Sequence, residues 1–219
     1  SASSRDGGFS ILANGSMTGL PDIYSTVFDI RLRNANITSY GLEKFLSHWT
    51  PSGQSTELSK FGKGLIFNIV ANGKGTLDAL HVDADARSMA GNAKCDVLLE
   101  NLPQKDKSIK ISGNIRTKDL DAGRIIGKKI VGPVTLEAGL KAHLGNRGHN
   151  EGAIQIDSMI VDRLHLNGYD YHGIAGAGEL SESAFNGKII CNDPALNFLF
   201  QGTFALSSKT NNSLYKFYA

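Results

Sequence analysis

Residues 134–144 read VTLEAGLKAHL, with Val134, Leu136, Ala138, Leu140, Ala142 and Leu144 on one parity and Thr135, Glu137, Gly139, Lys141 and His143 on the other. A helix would return its apolar residues every three or four positions. A period of two belongs to an extended strand with one face turned to apolar surroundings and the other to water. The same alternation runs through VFDIRLRN from Val27, where Phe28, Ile30 and Leu32 oppose Asp29, Arg31 and Arg33. It continues through Leu65, Phe67, Ile69 and Ala71, and again where Ile109, Ile111, Gly113 and Ile115 alternate with Lys110, Ser112, Asn114 and Arg116. Ile154 with Ile156, Leu164 with Leu166, and Leu196 with Phe198 and Phe200 extend it toward the C-terminus.

Helical spacing is confined to two short stretches. One is 38–46, where Ser39 is placed to cap and Leu42, Phe45 and Leu46 share a side; the other is 121–126. Residues 47–60, polar and rich in turn formers, read as a loop. Many strands, few helices and no strand–helix–strand rhythm predict an antiparallel all-β protein. Asn-Gly pairs at Asn14-Gly15, Asn72-Gly73, Asn167-Gly168 and Asn186-Gly187 are expected at tight hairpin turns, or at bulges where they fall within a long alternating run. An echo at an offset of 58 residues, FSILANG at 9–15 and FNIVANG at 67–73, suggests tandem units of similar structure, 1–60 and 61–219, within one elongated segment.

Composition narrows the function classes. Lys plus Arg is 23 against Asp plus Glu 21, a balance unlike that of a protein that grips nucleic acid through a strongly basic surface. Glycine is abundant, 25 of 219, while proline is only 5, so the excess glycine must punctuate ordered structure. No apolar run has the ~18 residues of a membrane helix. The chain opens without Met or a signal-like stretch and is expected to be an internal piece of something longer. Cys95 and Cys191 form no CxxC pair; a single disulfide between them is allowed but not indicated.

Catalytic patterns are missing. None of the six histidines falls in a metal-ligating pair on a helix, and the four Gly-Lys pairs lack the Ser or Thr of a phosphate loop. GIAGAG at 173–178 does not have dinucleotide-binding spacing, and no GxSxG occurs. Asp170 with His172, or Cys191 with His165, could be drawn as dyads, but nothing in the sequence aligns them. No catalytic residue, cofactor or metal ligand is therefore assigned.

The runs SGNIRTKDLDAGRIIG at 112–127, LHLNGYDYHGIAGAGEL at 164–180 and FNGKIICNDPALNFLFQGTFALS at 185–207 resemble the TamB-type translocation and assembly module family, of the AsmA-like superfamily, in its Bacteroidetes version. TGLPDIYSTVFDIRL at 18–32, LEKFL at 42–46 and FGKGLIFNIVANGKGTLDAL at 61–80 fit as well. The resemblance implies an elongated, curved antiparallel sheet, a β-taco whose concave face is apolar. It also implies a periplasmic location in a cell envelope, a full-length form anchored in the inner membrane outside this segment, and a non-enzymatic role in phospholipid transport to the outer membrane or protein assembly there. The expected partners are a phospholipid or other acyl-chain ligand and an outer-membrane barrel protein, with no nucleic acid. The candidate groove lining is Phe28, Ile30, Leu32, Leu65, Phe67, Ile69, Ile109, Ile111, Leu136, Leu140, Leu196, Phe198 and Phe200. The competing expectation is a closed β-sandwich that binds a protein partner, with the same stripes sealed against each other.

Overall fold

Each alternating run pairs with the next one along the chain, because short connections hold consecutive strands side by side. The computed structural model describes residues 2–3, 8–41, 62, 64–102, 109–144, 154–181 and 184–205. Its strands are β1 (Ala2–Ser3), β2 (Phe9–Thr18), β3 (Val27–Thr38), β4 (Ile66–Gly75), β5 (Ala79–Ser88), β6 (Gly91–Glu100), β7 (Ile109–Asp121), β8 (Val131–Leu144), β9 (Ile154–Leu166), β10 (Tyr169–Tyr171), β11 (Ile174–Leu180), β12 (Ala184–Asp193) and β13 (Leu196–Ala205). All belong to one antiparallel sheet in chain order, except that β10 folds back on β9 and β11 takes the place beside it. β1 and β13 do not pair, so the sheet is open rather than a barrel, and the sandwich expectation is replaced by a single layer among the described residues. At ~4.8 Å per strand, the eleven spacings from β1 to β13 make a path of about 53 Å.

The helix at 121–126 forms as α1 (Ala122–Ile126). Asp121 Oδ1 accepts the Arg124 N–H at 2.9 Å as its N-cap, and Gly127, left-handed at φ 71°, ends it. The other helical stretch starts at 39–41, but Thr38 rather than Ser39 caps it: Thr38 Oγ1 accepts the Gly41 N–H at 3.0 Å. Thr38 is the last extended residue of β3, the conformation a cap needs, whereas Ser39 is buried and donates its hydroxyl to Gly62 O at 3.1 Å. Leu42, Phe45 and Leu46, and the loop at 47–60, lie outside the described residues.

Of the four Asn-Gly pairs only Asn167-Gly168 makes a turn, with φ of 52° and 83° between β9 and β10. Asn14-Gly15, Asn72-Gly73 and Asn186-Gly187 lie inside β2, β4 and β12. There the pairing offered by strands on both sides outweighs the local turn preference. Gly15 also needs to be glycine for contact: a Cβ would sit 2.5 Å from Asp29 O.

The echo has a structural meaning. FSILANG is β2 and FNIVANG is β4, and they flank β3 in the same register. Ile37 pairs with Phe9 and Phe67, Ala35 with Ile11 and Ile69, Leu32 with Ala13 and Ala71, and Ile30 with Gly15 and Gly73. Ala35 lies between two isoleucines, and Leu32 and Ile30 lie between alanines and glycines, while Ile37 meets a phenylalanine on each side, so the two similar strands are the two sides of one packing arrangement. A bulge at Arg33–Asn34 is shared by both pairings. The two cysteines are free, on β6 and β12.

The β12–β13 turn is pinned by Asp193, which is 3% exposed. Its carboxylate accepts the Tyr169 hydroxyl at 2.9 Å and the N–H groups of His172 and Ala195, each at 2.8 Å. Burial pushes this carboxyl up, but the hydrogen bonds outweigh it and its pKa lies below the ordinary value. A carboxyl lowered on folding adds stability that is complete above its unfolded value, ~3.9, and lost as the pH falls through the folded one. Asp193→Asn is therefore expected to melt below wild type at pH 7, with the gap narrowing in acid and the His172 and Ala195 amides exchanging faster in the variant at pH 7.

Candidate functional site

Strand parity and register together build the face on which the predicted lining lies. Following the pairing from strand to strand, one lateral row runs Gly15, Ile30, Gly73, Val82, Val97, Gly113, Leu140, Ile156, Gly178, Gly187 and Gly202, crossing β2 to β13 without a break. Six of its eleven members are glycine. On one flank a row passes through Leu32, Ala71, Cys95, Ile115, Met159 and Phe200, with another beyond it through Ile69, Thr117, Leu136, Val161 and Phe198. On the other flank a row passes through Phe28, Leu80, Leu99, Ile111, Phe185 and Phe204. In these four rows Thr117 is the only polar side chain, and it is satisfied, donating to Val134 O at 3.1 Å and accepting Leu136 N–H at 3.1 Å.

Twelve of the thirteen predicted lining residues stand on this face. Phe28, Ile30, Leu32, Ile69, Ile111, Leu136, Leu140, Phe198 and Phe200 belong to the four rows. Phe67, Ile109 and Leu196 lie on the same face further toward the strand ends. Leu65 precedes β4 and is buried, 6% exposed, in a tie across one side of the sheet. There the Gly62 N–H donates to Ile125 O at 2.5 Å, joining the segment before β4 to α1 past the ends of β5 and β6, and Ala90 between those two strands is buried. Sequence reading missed Val82, Val97, Leu99, Met159 and Phe185, although the parity of β5, β6, β9 and β12 carries the signal for them. It had no means of finding the glycine row, which exists only across strands.

Among the described residues, the nearest atoms to a Cβ on Gly15, Gly73, Gly113, Gly178 or Gly187 belong to its own or the adjoining strands. At Gly73 the nearest is Leu80 Cδ1, 3.9 Å away, so the row is open there; at Gly178 and Gly187 it is occupied by the Phe185 ring, whose Cζ lies 2.9 and 2.8 Å from the two Cβ positions. Ile30 is 41% exposed and Phe198 38%, values of a presented surface, whereas Val97, Ala138, Ala142 and Val161 are buried by their neighbours on the face.

The opposite face is cross-linked by charge, with exposed apolar residues such as Ile66, Val70, Ile160 and Leu199 standing among the charged ones. Lys94 pairs with Asp85 at 3.4 Å, Arg116 with Glu137 at 2.8 Å and Lys141 with Asp157 at 2.8 Å, while Arg163 pairs with Asp119. These pairs are exposed, worth ~0–1 kcal/mol each, and serve to keep this side wet. A depression of about 550 Å³ on this side is lined by Arg87, Lys94, Arg116 and Lys118 with Asp85 and Asp119; Arg87 and Lys94 share Asp85. His165 Nδ1 lies 2.6 Å from Asp170 Oδ1, and so is committed to Asp170 and not to Cys191; His172 Nδ1 contacts Asp162 O. Among the described residues no three His, Cys, Asp or Glu side chains converge on a common point. On the apolar face, burial pushes the Cys95 thiol up, so it is a weak nucleophile at neutral pH. No protein-family model, curated protein or solved structure matches this chain.

Proposed function

We propose that this chain is a non-enzymatic, periplasmic groove segment of a TamB-like protein, whose apolar face receives phospholipid acyl chains on their way to the outer membrane or supports protein assembly there. The observation that carries the reading is the uncharged face itself: four registered rows crossing eleven strands, with one satisfied hydroxyl in them and, among the described residues, no second sheet layer over them. A surface of this kind in water gains most by covering itself with hydrocarbon. Each methylene removed from water contributes ~0.8 kcal/mol, and headgroups can remain in solvent at the rim. The outer-membrane barrel partner and the inner-membrane anchor of the full-length protein belong to the same proposal.

The test is lipid mass spectrometry of the native chain together with binding of a fluorescent hexadecanoic acid. Bound lipid is the expected result; a chain that carries no lipid and takes up no probe would end the proposal. Cys95 supplies a built-in reporter, because it lies on this face half-buried while Cys191 is buried at 1% exposure. Alkylation of Cys95 by a maleimide is expected to slow severalfold when hexadecanoate is bound, and to quicken with pH in both states. Equal rates with and without hexadecanoate would place the ligand elsewhere.

A further inference from the structure

The charged face concentrates cations at one place. Register sets Lys94 of β6 directly opposite Arg116 of β7, and Asn92 opposite Lys118, while on the other side of β6 Asp85 stands beside Lys94 and Arg87 beside Asn92. Two neighbouring rungs therefore read Asp85, Lys94, Arg116 and Arg87, Asn92, Lys118. Like charges directly opposite each other on a sheet repel, so the Lys94 and Arg116 pairing costs stability unless an anion lies between them. Elsewhere on this face each cation has its own acid, as Lys141 has Asp157 at 2.8 Å.

These rungs border the depression of about 550 Å³, whose lining carries four cations, Arg87, Lys94, Arg116 and Lys118, against two carboxylates. Both carboxylates are already engaged. Asp85 is shared, Oδ1 accepting the Arg87 Nε–H at 3.1 Å and Oδ2 lying 3.4 Å from the Lys94 ammonium. Asp119 is held by Arg163 and by the Thr135 hydroxyl at 3.3 Å. Among the described residues Lys118, which is exposed, has no ion-pair partner. Arg116 uses only Nη2 on Glu137, at 2.8 Å, and keeps its other N–H groups for a ligand. Guanidinium and ammonium groups brought together in this way match the oxygens of a phosphate, which takes a guanidinium bidentately and an ammonium as a point charge. The volume lies in the ~300–1,000 Å³ range of small-molecule sites.

The surroundings limit the ligand's size. On the next rung Asp83 stands opposite Asp96, and Glu137 stands beyond Arg116. A nucleic-acid strand or a bilayer surface laid across the depression would bring further phosphates against these acids. A molecule with a single phosphate would not. We propose that this depression is a binding site for a small, soluble phosphate-bearing anion, held by Lys118 together with Arg87 and Arg116. It lies on the side of the sheet away from the groove, so it stands or falls separately from the lipid reading.

The experiment titrates the 219-residue chain with inorganic phosphate in a low-salt chloride buffer, followed by calorimetry and by the backbone amide resonances of Asn92 and Lys118. Wild type is expected to bind one phosphate and to shift both resonances. Lys118→Ala is expected to bind about tenfold more weakly and to melt no lower than wild type, because the side chain removed has cations rather than an acid beside it. Lys141→Ala deletes the same charge elsewhere on the face and is expected to stay within about twofold, although it breaks the pair with Asp157. Equal losses in the two variants would reduce the effect to net charge and overturn the site, as would a wild-type chain that binds no phosphate. A Lys118→Ala protein that melts lower while binding phosphate as wild type does would make Lys118 structural and overturn its role. Vesicles of phosphatidylglycerol are expected not to bind; vesicle binding that Lys118→Ala abolishes would overturn the soluble ligand in favour of a membrane headgroup.

Discussion

Gly113→Ala is expected to destabilise the protein by about 3 kcal/mol or more, whereas Gly73→Ala, on the same row, is expected to stabilise it by ~0.4–1 kcal/mol. Gly113 has φ 148°, a region essentially closed to L side chains, and a Cβ there would fall on the Asp96 carbonyl oxygen of β6, a backbone atom that cannot swing aside. The penalty combines backbone strain with a forced opening of the β6–β7 ladder. Gly73 has no such conformation, and its nearest contact would be Leu80 Cδ1 at 3.9 Å. Adding a methyl group there mainly reduces the freedom of the unfolded chain. Urea or thermal melts separate the two outcomes; for a chain of this size the Gly113 variant should melt about 6–12 °C lower. If both substitutions moved stability the same way, the row would not contain one point of close backbone approach and one open gap.

Ile30→Glu is expected to remove acyl-chain binding at the β2–β4 end, by about tenfold or more, while costing less than about 1.5 kcal/mol of stability. Ile30 lies on the row between Gly15 and Gly73 and is 41% exposed, so a carboxylate there keeps its water in the free protein and must give it up when hydrocarbon covers the face. Phe67→Glu makes the contrast. The Phe67 ring reaches to 3.3 Å from the Gly62 Cβ position, beside buried Leu65, where the segment before β4 is tied to α1, and its replacement should loosen that tie and lower the melting temperature. Retained lipid binding in a folded Ile30→Glu protein would show that the apolar face near β3 is not where the ligand lies.

Much of the apolar face was legible in the sequence, for a local reason. In a strand the face of each side chain is fixed by its position counted along its own run, so Phe28, Ile30 and Leu32, or Ile109 and Ile111, had to share a face once the runs were extended. Leu65 stands one residue before β4 begins but keeps the parity of Phe67, and the two side chains meet at Gly62. The Asn-Gly pairs misled because a two-residue preference for turning was read without knowledge of the strands on either side. Gly15, Gly73 and Gly187 are ladder residues. The cap of α1 at Asp121 was within reach of sequence because capping involves residues three apart, and that of 39–41 was missed by a single position.

Sequence by itself determined that the chain is all-β, where most of the strands run, and that one side of those strands is continuously apolar while the charged residues lie on the other. Period-two alternation is written into each run and needs no partner to be read. Only the tertiary structure decided that the strands lie in one open sheet in chain order, that FSILANG and FNIVANG embrace the same strand, and that six glycines from six different strands fall on a single rung. Register is the reason. It is set by the lengths of the turns and by bulges such as Arg33–Asn34 on β3 and the irregularities along β9, each of which shifts every pairing beyond it.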